Sequence, residues 1–198
     1  MSNNILETLS HVLDDNALNT LSSQLGADRD TTERAVSAAL PTLLGAVARQ
    51  ADSAQQANAF ESAIQRDHDG SVLDNVHGFL NGGGGAGSAI LGHLLGGRQN
   101  RVEKGVSQMS GLDSGSTSKL LAMLAPLVMG AIGKQARSGQ LQSGGLTDLL
   151  RQQRSHAESA APTGLLGRLL DADGDGDFDL SDIMKHGTGL LGSFFRRR

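Results

Sequence analysis

One stretch of this chain occurs twice, and both copies are centred on a proline inside an apolar run. Three short matches occur in the same order in each half. The longest pairs Leu-Pro-Thr-Leu-Leu-Gly-Ala-Val at 40–47 with Ala-Pro-Leu-Val-Met-Gly-Ala-Ile at 125–132. Before it, Ser-Gln-Leu at 23–25 matches Ser-Gln-Met at 107–109, and after it, Arg-Gln-Ala at 49–51 matches Lys-Gln-Ala at 134–136. The offset is 85 residues at the prolines and 84 at Gln24 and Gln108, which predicts one residue gained between them. We interpret the repeat as a duplicated helix-turn-helix-like unit whose Pro-centred helices pack together as a pseudo-symmetric pair.

The composition favours close-packed helices. Hydrophobic residues make up 38% of the 198 positions, but aromatic residues make up only 3%, with no Trp or Tyr. A core must therefore be built from Leu, Ala, Val, Ile and Met. The predicted fold class is all-α.

Local signals place the first helices. Apolar spacing predicts helices over 4–13 and 15–25, with Gly26 as the stop signal of the second. Asp30-Thr31-Thr32-Glu33 is typical of a capping box and predicts the start of the next helix. Pro41 is expected to kink that helix or to begin a new one. Another helix is predicted at about 55–66.

A glycine-rich segment at 82–87 separates the two copies and is typical of a flexible connector. A phosphate-binding loop would need a Lys-Ser/Thr ending and a preceding strand. Ser88-Ala89-Ile90-Leu91 follows instead, which favours the connector over a phosphate-binding loop.

Several of these segments together resemble one bacterial family. They are Gln-Leu-Gly at 24–26, the Ala-Leu-Pro-x-Leu-Leu segment at 39–44, the helix predicted at 71–80, the glycine run, and Ile-Leu-Gly-His-Leu-Leu-Gly at 90–96. Over residues 5–150 the chain is similar to the bacterial YidB-like domain-of-unknown-function family. The resemblance implies an all-helical fold with homeodomain-like three-helix topology, and it brings no catalytic residues.

A second feature lies beyond the region of that resemblance. Residues 171–182 read Asp-Ala-Asp-Gly-Asp-Gly-Asp-Phe-Asp-Leu-Ser-Asp. Carboxylates this close repel one another, and a hard cation relieves the repulsion. An EF-hand loop takes its oxygen ligands from positions 1, 3, 5, 7, 9 and 12 and turns at a glycine in position 6. The predicted Ca²⁺ ligands are therefore Asp171, Asp173, Asp175, Asp177, Asp179 and Asp182, with Gly176 at the turn.

The loop resembles the dockerin-type EF-hand, in which Asp replaces Glu at the last position. Asp177 would offer its backbone carbonyl, Asp179 would act through a water, and Phe178 would point away from the metal. The shorter Asp182 side chain and the absence of a second loop predict weaker binding than in paired EF-hands. The alternatives are Mg²⁺, which prefers a small octahedral shell, and a solvated acidic loop that binds nothing.

The flanks of the loop predict the domain organisation. Residues 1–151 form the duplicated helical domain, residues 152–163 are a polar linker, and residues 164–198 are a single EF-hand-like module. Gly-Leu-Leu-Gly-Arg-Leu-Leu at 164–170 and Gly-Leu-Leu-Gly-Ser-Phe-Phe at 189–195 would be its two helices. Each is too short to be stable alone, so metal binding would couple to their ordering.

Charge and residue types narrow the function classes. The acidic loop holds 6 of the 21 Asp and Glu residues, so the remaining 15 face 17 Lys and Arg in a nearly neutral body. The chain has no cysteine, no Gly-x-Ser-x-Gly elbow, and no pair of its six histidines at helical spacing. We therefore predict a non-enzymatic Ca²⁺-binding protein whose ordered flanks dock on the helical body, on a protein partner or on a second copy of the chain.

Two alternatives concern other partners. A nucleic-acid-associated protein would use Arg34, Arg49, Lys119 and Lys134 on the helix-turn-helix-like units, but this density of cations is thin for phosphate contacts. A membrane-surface contact would use 190–198, where two Phe precede three Arg, although docking on the body is favoured. With no secretory signal and no long apolar run, the predicted location is cytoplasmic.

Overall fold

The computed structural model describes residues 5–51, 54–83 and 85–137, and the regular elements within those ranges are helices without a strand. The all-α prediction is confirmed. The α-helices are α1 (Ile5–Val12), α2 (Asp15–Leu25), α3 (Arg29–Ala48), α4 (Ala54–Asp67), α5 (Val76–Asn81), α6 (Gly87–Leu95), α7 (Gln99–Ser110) and α8 (Ser114–Gln135). A 3-10 turn at Ser71–Asn75 precedes α5. The predicted linker at 152–163 and the predicted EF-hand-like module at 164–198 lie outside the described residues.

The duplication appears as two helix pairs with the same connection. In each pair the first helix ends at a left-handed glycine, Gly26 (φ 65°) after α2 and Gly111 (φ 81°) after α7. An aspartate two residues later caps the second helix: Asp28 accepts from the Thr31 N–H of α3, and Asp113 accepts from the Ser116 N–H of α8. This Gly-x-Asp connection explains why the same turn forms twice.

Two details of the sequence analysis need correction. The N-cap of α3 is Asp28, so the proposed capping box at 30–33 lies inside the helix. The repeat also keeps one register, because the N–H of Gly26 donates to the Ser22 carbonyl and the N–H of Gly111 donates to the Ser107 carbonyl. Ser22 and Ser107 are 85 residues apart, so the 84-residue match at Gln24 is out of structural register and no residue is gained between the turn and the proline.

The two proline-containing helices pack against each other, as the repeat predicted. Each continues through its proline, so of the two alternatives at Pro41, a kink or a new helix, the second is wrong. A proline lacks the N–H that would bond the carbonyl four residues earlier. At Pro126 this leaves the Ala122 carbonyl free of its helical donor. That carbonyl faces Gly87, the first residue of α6, at the position where a Cβ would lie.

Helix α8 forms the centre of the described body. It contacts α1, α2, α3, α4, α6 and α7. From Met123 to Gly133 every residue is buried. Helix α3 supplies the opposing apolar face, in which Leu43 and Leu44 have no exposed surface. Burial of this Leu-, Ala- and Val-rich interface is the main source of stability, since the described core contains little aromatic surface.

Two glycines allow the turn after α4 to pack directly on α8. A Cβ added to Gly133 would overlap the His68 carbonyl, with the carbonyl carbon only 2.9 Å away. A Cβ on Gly130 would overlap the Cγ1 of Val72. The chain that follows the first repeat therefore crosses to the last helix of the second repeat and covers its outer side.

Candidate functional site

The predicted Ca²⁺ ligands at 171–182 lie outside the described residues, so this structure does not test them. Within the described residues no group of three or more His, Cys, Asp or Glu side chains is arranged to hold a metal ion. A divalent cation therefore has no evident competing site in the part of the chain that the structure describes.

The segment Arg66-Asp67-His68-Asp69-Gly70 places two carboxylates beside an imidazole, and both carboxylates are already engaged. Arg66 donates to both Asp67 oxygens, with Nη2 to Oδ2 at 2.7 Å and Nε to Oδ1 at 2.9 Å. Asp69 Oδ1 accepts from the hydroxyl of Ser71 at 2.6 Å and from its N–H at 2.9 Å. These bonds lower the pKa of both carboxyl groups. The segment is a hydrogen-bonded turn whose carboxylates are occupied by Arg66 and Ser71.

His68 is a partly buried residue of the same turn. Burial lowers the pKa of its imidazole, and the nearby Asp67 carboxylate opposes this effect only in part. Its backbone carbonyl is the atom that faces Gly133. The neutral form of His68 is therefore favoured where the turn meets α8.

Two cations proposed as nucleic-acid contacts instead cap helices of the opposite repeat. Lys119 on α8 donates from Nζ to the backbone carbonyl of Gln24 at 2.7 Å and to the side-chain Oε1 of Gln24 at 3.1 Å. Arg34 on α3 donates from Nε to the Ser110 carbonyl at 3.4 Å. Gln24 and Ser110 lie in the last turns of α2 and α7, where carbonyls lack helical partners and a positive charge is favourable.

The other two candidate cations also have interaction partners. Lys134 Nζ lies 3.2 Å from Asp74 Oδ1, and Arg49 makes interactions of its own. Arg137, beyond the end of α8, donates to the Gln65 carbonyl at 2.7 Å. Four basic side chains thus link separate elements of the body: Arg34, Lys119, Lys134 and Arg137.

A shallow cleft lies at the C-terminal half of α2. Its volume is about 440 Å³, and its lining is neutral and polar: Asn19, Thr20, Ser23, Gln24 and Asn81. Amide and hydroxyl groups can hydrogen-bond a ligand, but they supply neither a nucleophile with its base nor a fixed charge. The cleft gives no support to a catalytic site.

Helix α8 is the described helix that is long and apolar enough to cross a membrane, with a mean hydropathy of 1.4. However, 72% of its apolar window is buried inside the helical body. Burial in the core accounts for its composition.

Comparison with known families identifies this body. The family described as bacterial protein of unknown function (DUF937) matches residues 7–135. The chain belongs to the DUF937 family. The match covers both repeats and ends at the last residue of α8. Comparisons of the chain with curated proteins and with solved structures found no match.

The reciprocal capping within the DUF937 body is not among the features predicted above from the sequence. Its signal is present in the repeat, because Arg34 and Lys119 are 85 residues apart and so occupy the same place in each copy. A cation retained at one position of both copies indicates a shared structural contact.

Proposed function

We propose that this DUF937 protein is a non-enzymatic Ca²⁺-binding protein, with its metal site at residues 171–182. One observation carries the proposal: six acidic residues stand at positions 1, 3, 5, 7, 9 and 12 of a 12-residue segment, with glycine at position 6. The finer assignment, a YidB-like body followed by a dockerin-type loop, is part of the same proposal.

The donor chemistry favours calcium over the alternatives. Carboxylate and carbonyl oxygens at this spacing provide a flexible shell of six or more ligands, which suits Ca²⁺ better than Mg²⁺. Asp182 has one methylene fewer than the usual Glu, so bidentate closure is weaker. A dissociation constant of about 10⁻⁵–10⁻³ M is expected for such an unpaired loop.

The described body makes the proposal easy to test. The carboxylates of Asp67 and Asp69 are bonded to Arg66 and Ser71, and no other metal-holding group occurs among the described residues. Variants of the acidic loop, compared with matched variants of Asp67 and Asp69, therefore distinguish Ca²⁺ uptake at the loop from uptake at this segment of the described body.

The ion would act by neutralising the loop and ordering its apolar flanks at 164–170 and 189–195. Those flanks would then dock on the body or on a partner. If the dissociation constant lies well below the working Ca²⁺ concentration, the ion is a permanent structural element. If the dissociation constant lies near that concentration, the ion is a switch.

The alternative from another class, nucleic-acid association, gains no support from Lys119 or Lys134. Lys119 bonds a helix carbonyl and Lys134 pairs with Asp74, so neither is held out towards a phosphate. Phosphate contacts dominate nucleic-acid affinity, and each pairing would have to be exchanged for one of them.

The test is isothermal titration of the intact, chelator-treated chain with Ca²⁺ and separately with Mg²⁺. The loop variant is Asp171→Asn with Asp175→Asn, which removes two charges and keeps side-chain shape. The matched control is Asp67→Asn with Asp69→Asn, which removes two charges from the other acidic segment. Far-UV circular dichroism follows helix formation in each titration.

The proposal predicts Ca²⁺ binding with added helicity in the intact chain and in the control, and loss of both in the loop variant. Equal heats in the loop variant and the intact chain would refute the site. Salt-sensitive retention on a DNA column that is indifferent to Ca²⁺ would favour the nucleic-acid alternative.

A further inference from the structure

The end of α5 forms an exposed Asn-Gly dipeptide. Asn81 is the last residue of the helix, and Gly82 begins the glycine-rich connector. Both residues are exposed, and Asn81 lines the polar cleft beside α2. The side-chain amide of Asn81 has no hydrogen-bond partner among the described residues. No bond within the described body therefore holds this amide away from its own backbone.

An asparagine followed by glycine reacts with its own backbone. The Gly82 nitrogen gives its proton to solvent and attacks the side-chain carbonyl carbon, Cγ, of Asn81, so that a new N–Cγ bond closes a five-membered succinimide ring. The Cγ–Nδ2 bond breaks, and Nδ2 takes up a proton and leaves as ammonia. Water then adds to one of the two ring carbonyls and opens the ring, which leaves aspartate or isoaspartate at position 81. The net reaction consumes one water and releases one ammonia.

Glycine at the second position removes the main obstacle to ring closure. A side chain on the following residue hinders the approach of its nitrogen to Cγ, and Gly82 has none. The next residue, Gly83, has φ 77° and is also exposed. The backbone at this end of α5 therefore carries no Cβ that would restrict the rotation needed for the attack.

One hydrogen bond opposes the reaction. The Gly82 N–H donates to the Gly78 carbonyl at 3.1 Å, and the helical conformation of Asn81 keeps the Gly82 nitrogen away from Cγ. This bond lies in the last turn of a helix of only 6 residues, and helix ends fray at a small cost in free energy. The buried Val76 and Leu80 hold the rest of α5 on the body. The reaction therefore requires local opening of one turn and no unfolding of the body.

Two related sites nearby are protected. Asn75 precedes a β-branched residue, and its Oδ1 accepts the Gly78 N–H at 2.9 Å. Asp69 precedes a glycine and forms the same ring when its carboxyl group reacts, but its Oδ1 accepts from the Ser71 hydroxyl at 2.6 Å. Gly70 is buried against α8. The dipeptide at the end of α5 differs from both because its side chain is unbonded and its glycine is exposed.

We propose that Asn81 is a site of spontaneous deamidation in the folded chain, and that the reaction places a carboxylate in the cleft beside α2. The residues that line this cleft are neutral, so the product adds a fixed negative charge to it. The isoaspartate product also inserts a methylene group into the backbone between α5 and α6. The modification does not involve the acidic loop, so it stands or falls independently of the Ca²⁺ site.

Ageing of the intact, folded chain at mildly alkaline pH tests the proposal. Samples are digested with trypsin at intervals, and tandem mass spectrometry locates the mass gain that accompanies exchange of an amide for a carboxyl group. Cleavage after Arg66 and Arg98 yields one peptide, 67–98, because no Lys or Arg lies between them. Asn75 and Asn81 are thus compared within a single peptide. A zero-time digest corrects for deamidation during proteolysis, and an isoaspartyl methyltransferase assay detects the isoaspartate.

The variants are Gly82→Ala and Asn81→Gln. A Cβ on Gly82 would lie 3.4 Å from the Phe79 carbonyl oxygen, which is an ordinary contact, and the φ of −74° suits alanine, so the first variant is expected to fold normally. Glutamine would have to close a six-membered ring, which forms far more slowly. Far-UV circular dichroism checks that both variants keep the helical body.

The proposal predicts deamidation with isoaspartate at Asn81 in the original chain, and loss that is at least about tenfold slower in Gly82→Ala. Asn75 should stay intact, and Asn81→Gln should give no isoaspartate at position 81. If Asn81 stayed intact in the folded chain while it reacted in urea, the last turn of α5 would be protective and the proposal would be wrong. Equal rates at Asn75 and Asn81, or equal rates in the original chain and Gly82→Ala, would also overturn it.

Discussion

Replacing Gly133 by alanine tests the packing of the turn after α4 on α8. The added Cβ would overlap the His68 carbonyl, well inside the 3.0 Å that real Cβ atoms respect. The obstacle is backbone, so rotation of a side chain cannot relieve it and the turn must move away from α8. Overpacking of this kind costs about 3 kcal/mol, and the better helix propensity of alanine returns about 1 kcal/mol.

The net loss of about 2 kcal/mol in the free energy of unfolding corresponds to a fall in Tm of about 4–8 °C for a chain of this length. Urea unfolding followed by circular dichroism measures the free energy directly, and a melt gives Tm. The control is Gly105→Ala in the middle of α7, where no described atom lies within 4 Å of the added Cβ. That variant should gain about 0.5–1 kcal/mol. If Gly133→Ala were as stable as the original chain, or if both variants shifted in the same direction, the packing argument would be wrong.

Two further predictions concern the same body. Lys119→Met should lower the free energy of unfolding by about 1 kcal/mol, because the last carbonyls of α2 lose a cationic donor. Lys104→Met, at an exposed position, should leave the urea midpoint unchanged. Equal midpoints for the two variants would refute the capping role. Burial lowers the pKa of His68 in the folded state, so the unfolded chain takes up a proton at His68 first as pH falls. The contribution of neutral His68 to the free energy of unfolding is therefore complete above about pH 6.5 and is lost as pH falls below that value. Urea midpoints at pH 7.5 and 5.5 should therefore differ more in the original chain than in His68→Gln, and an unchanged difference would contradict this assignment.

The sequence predicted the repeat and the pairing of α3 with α8 because both depend on long apolar patterns. A buried helix has to be apolar over several turns, and two such helices in similar units bury each other most efficiently. The cap assignment at Asp30 was wrong because two acids, Asp28 and Asp30, lie at the start of the same helix. Asp28 is the N-cap because it lies two residues after the left-handed Gly26 and accepts the Thr31 N–H.

The roles of the glycines and the cations could not be obtained from the sequence alone. Gly133 and Gly105 both lie inside helices, and only the neighbouring elements distinguish a close backbone approach from open space. Likewise, Lys119 on a helix surface has the same sequence pattern whether it contacts a phosphate or the end of another helix. The acidic loop remains a prediction from sequence, resting on the order of its carboxylates and glycine.

The proposed function is tested most directly by the number of Ca²⁺ ions bound per chain. Equilibrium dialysis of the chelator-stripped protein against Ca²⁺ from micromolar to several millimolar, with excess Mg²⁺ present, measures that number. The account predicts saturation at one ion per chain, and no specific binding in the Asp171→Asn, Asp175→Asn variant. Binding that never saturates, or one ion per chain in both proteins, would contradict it.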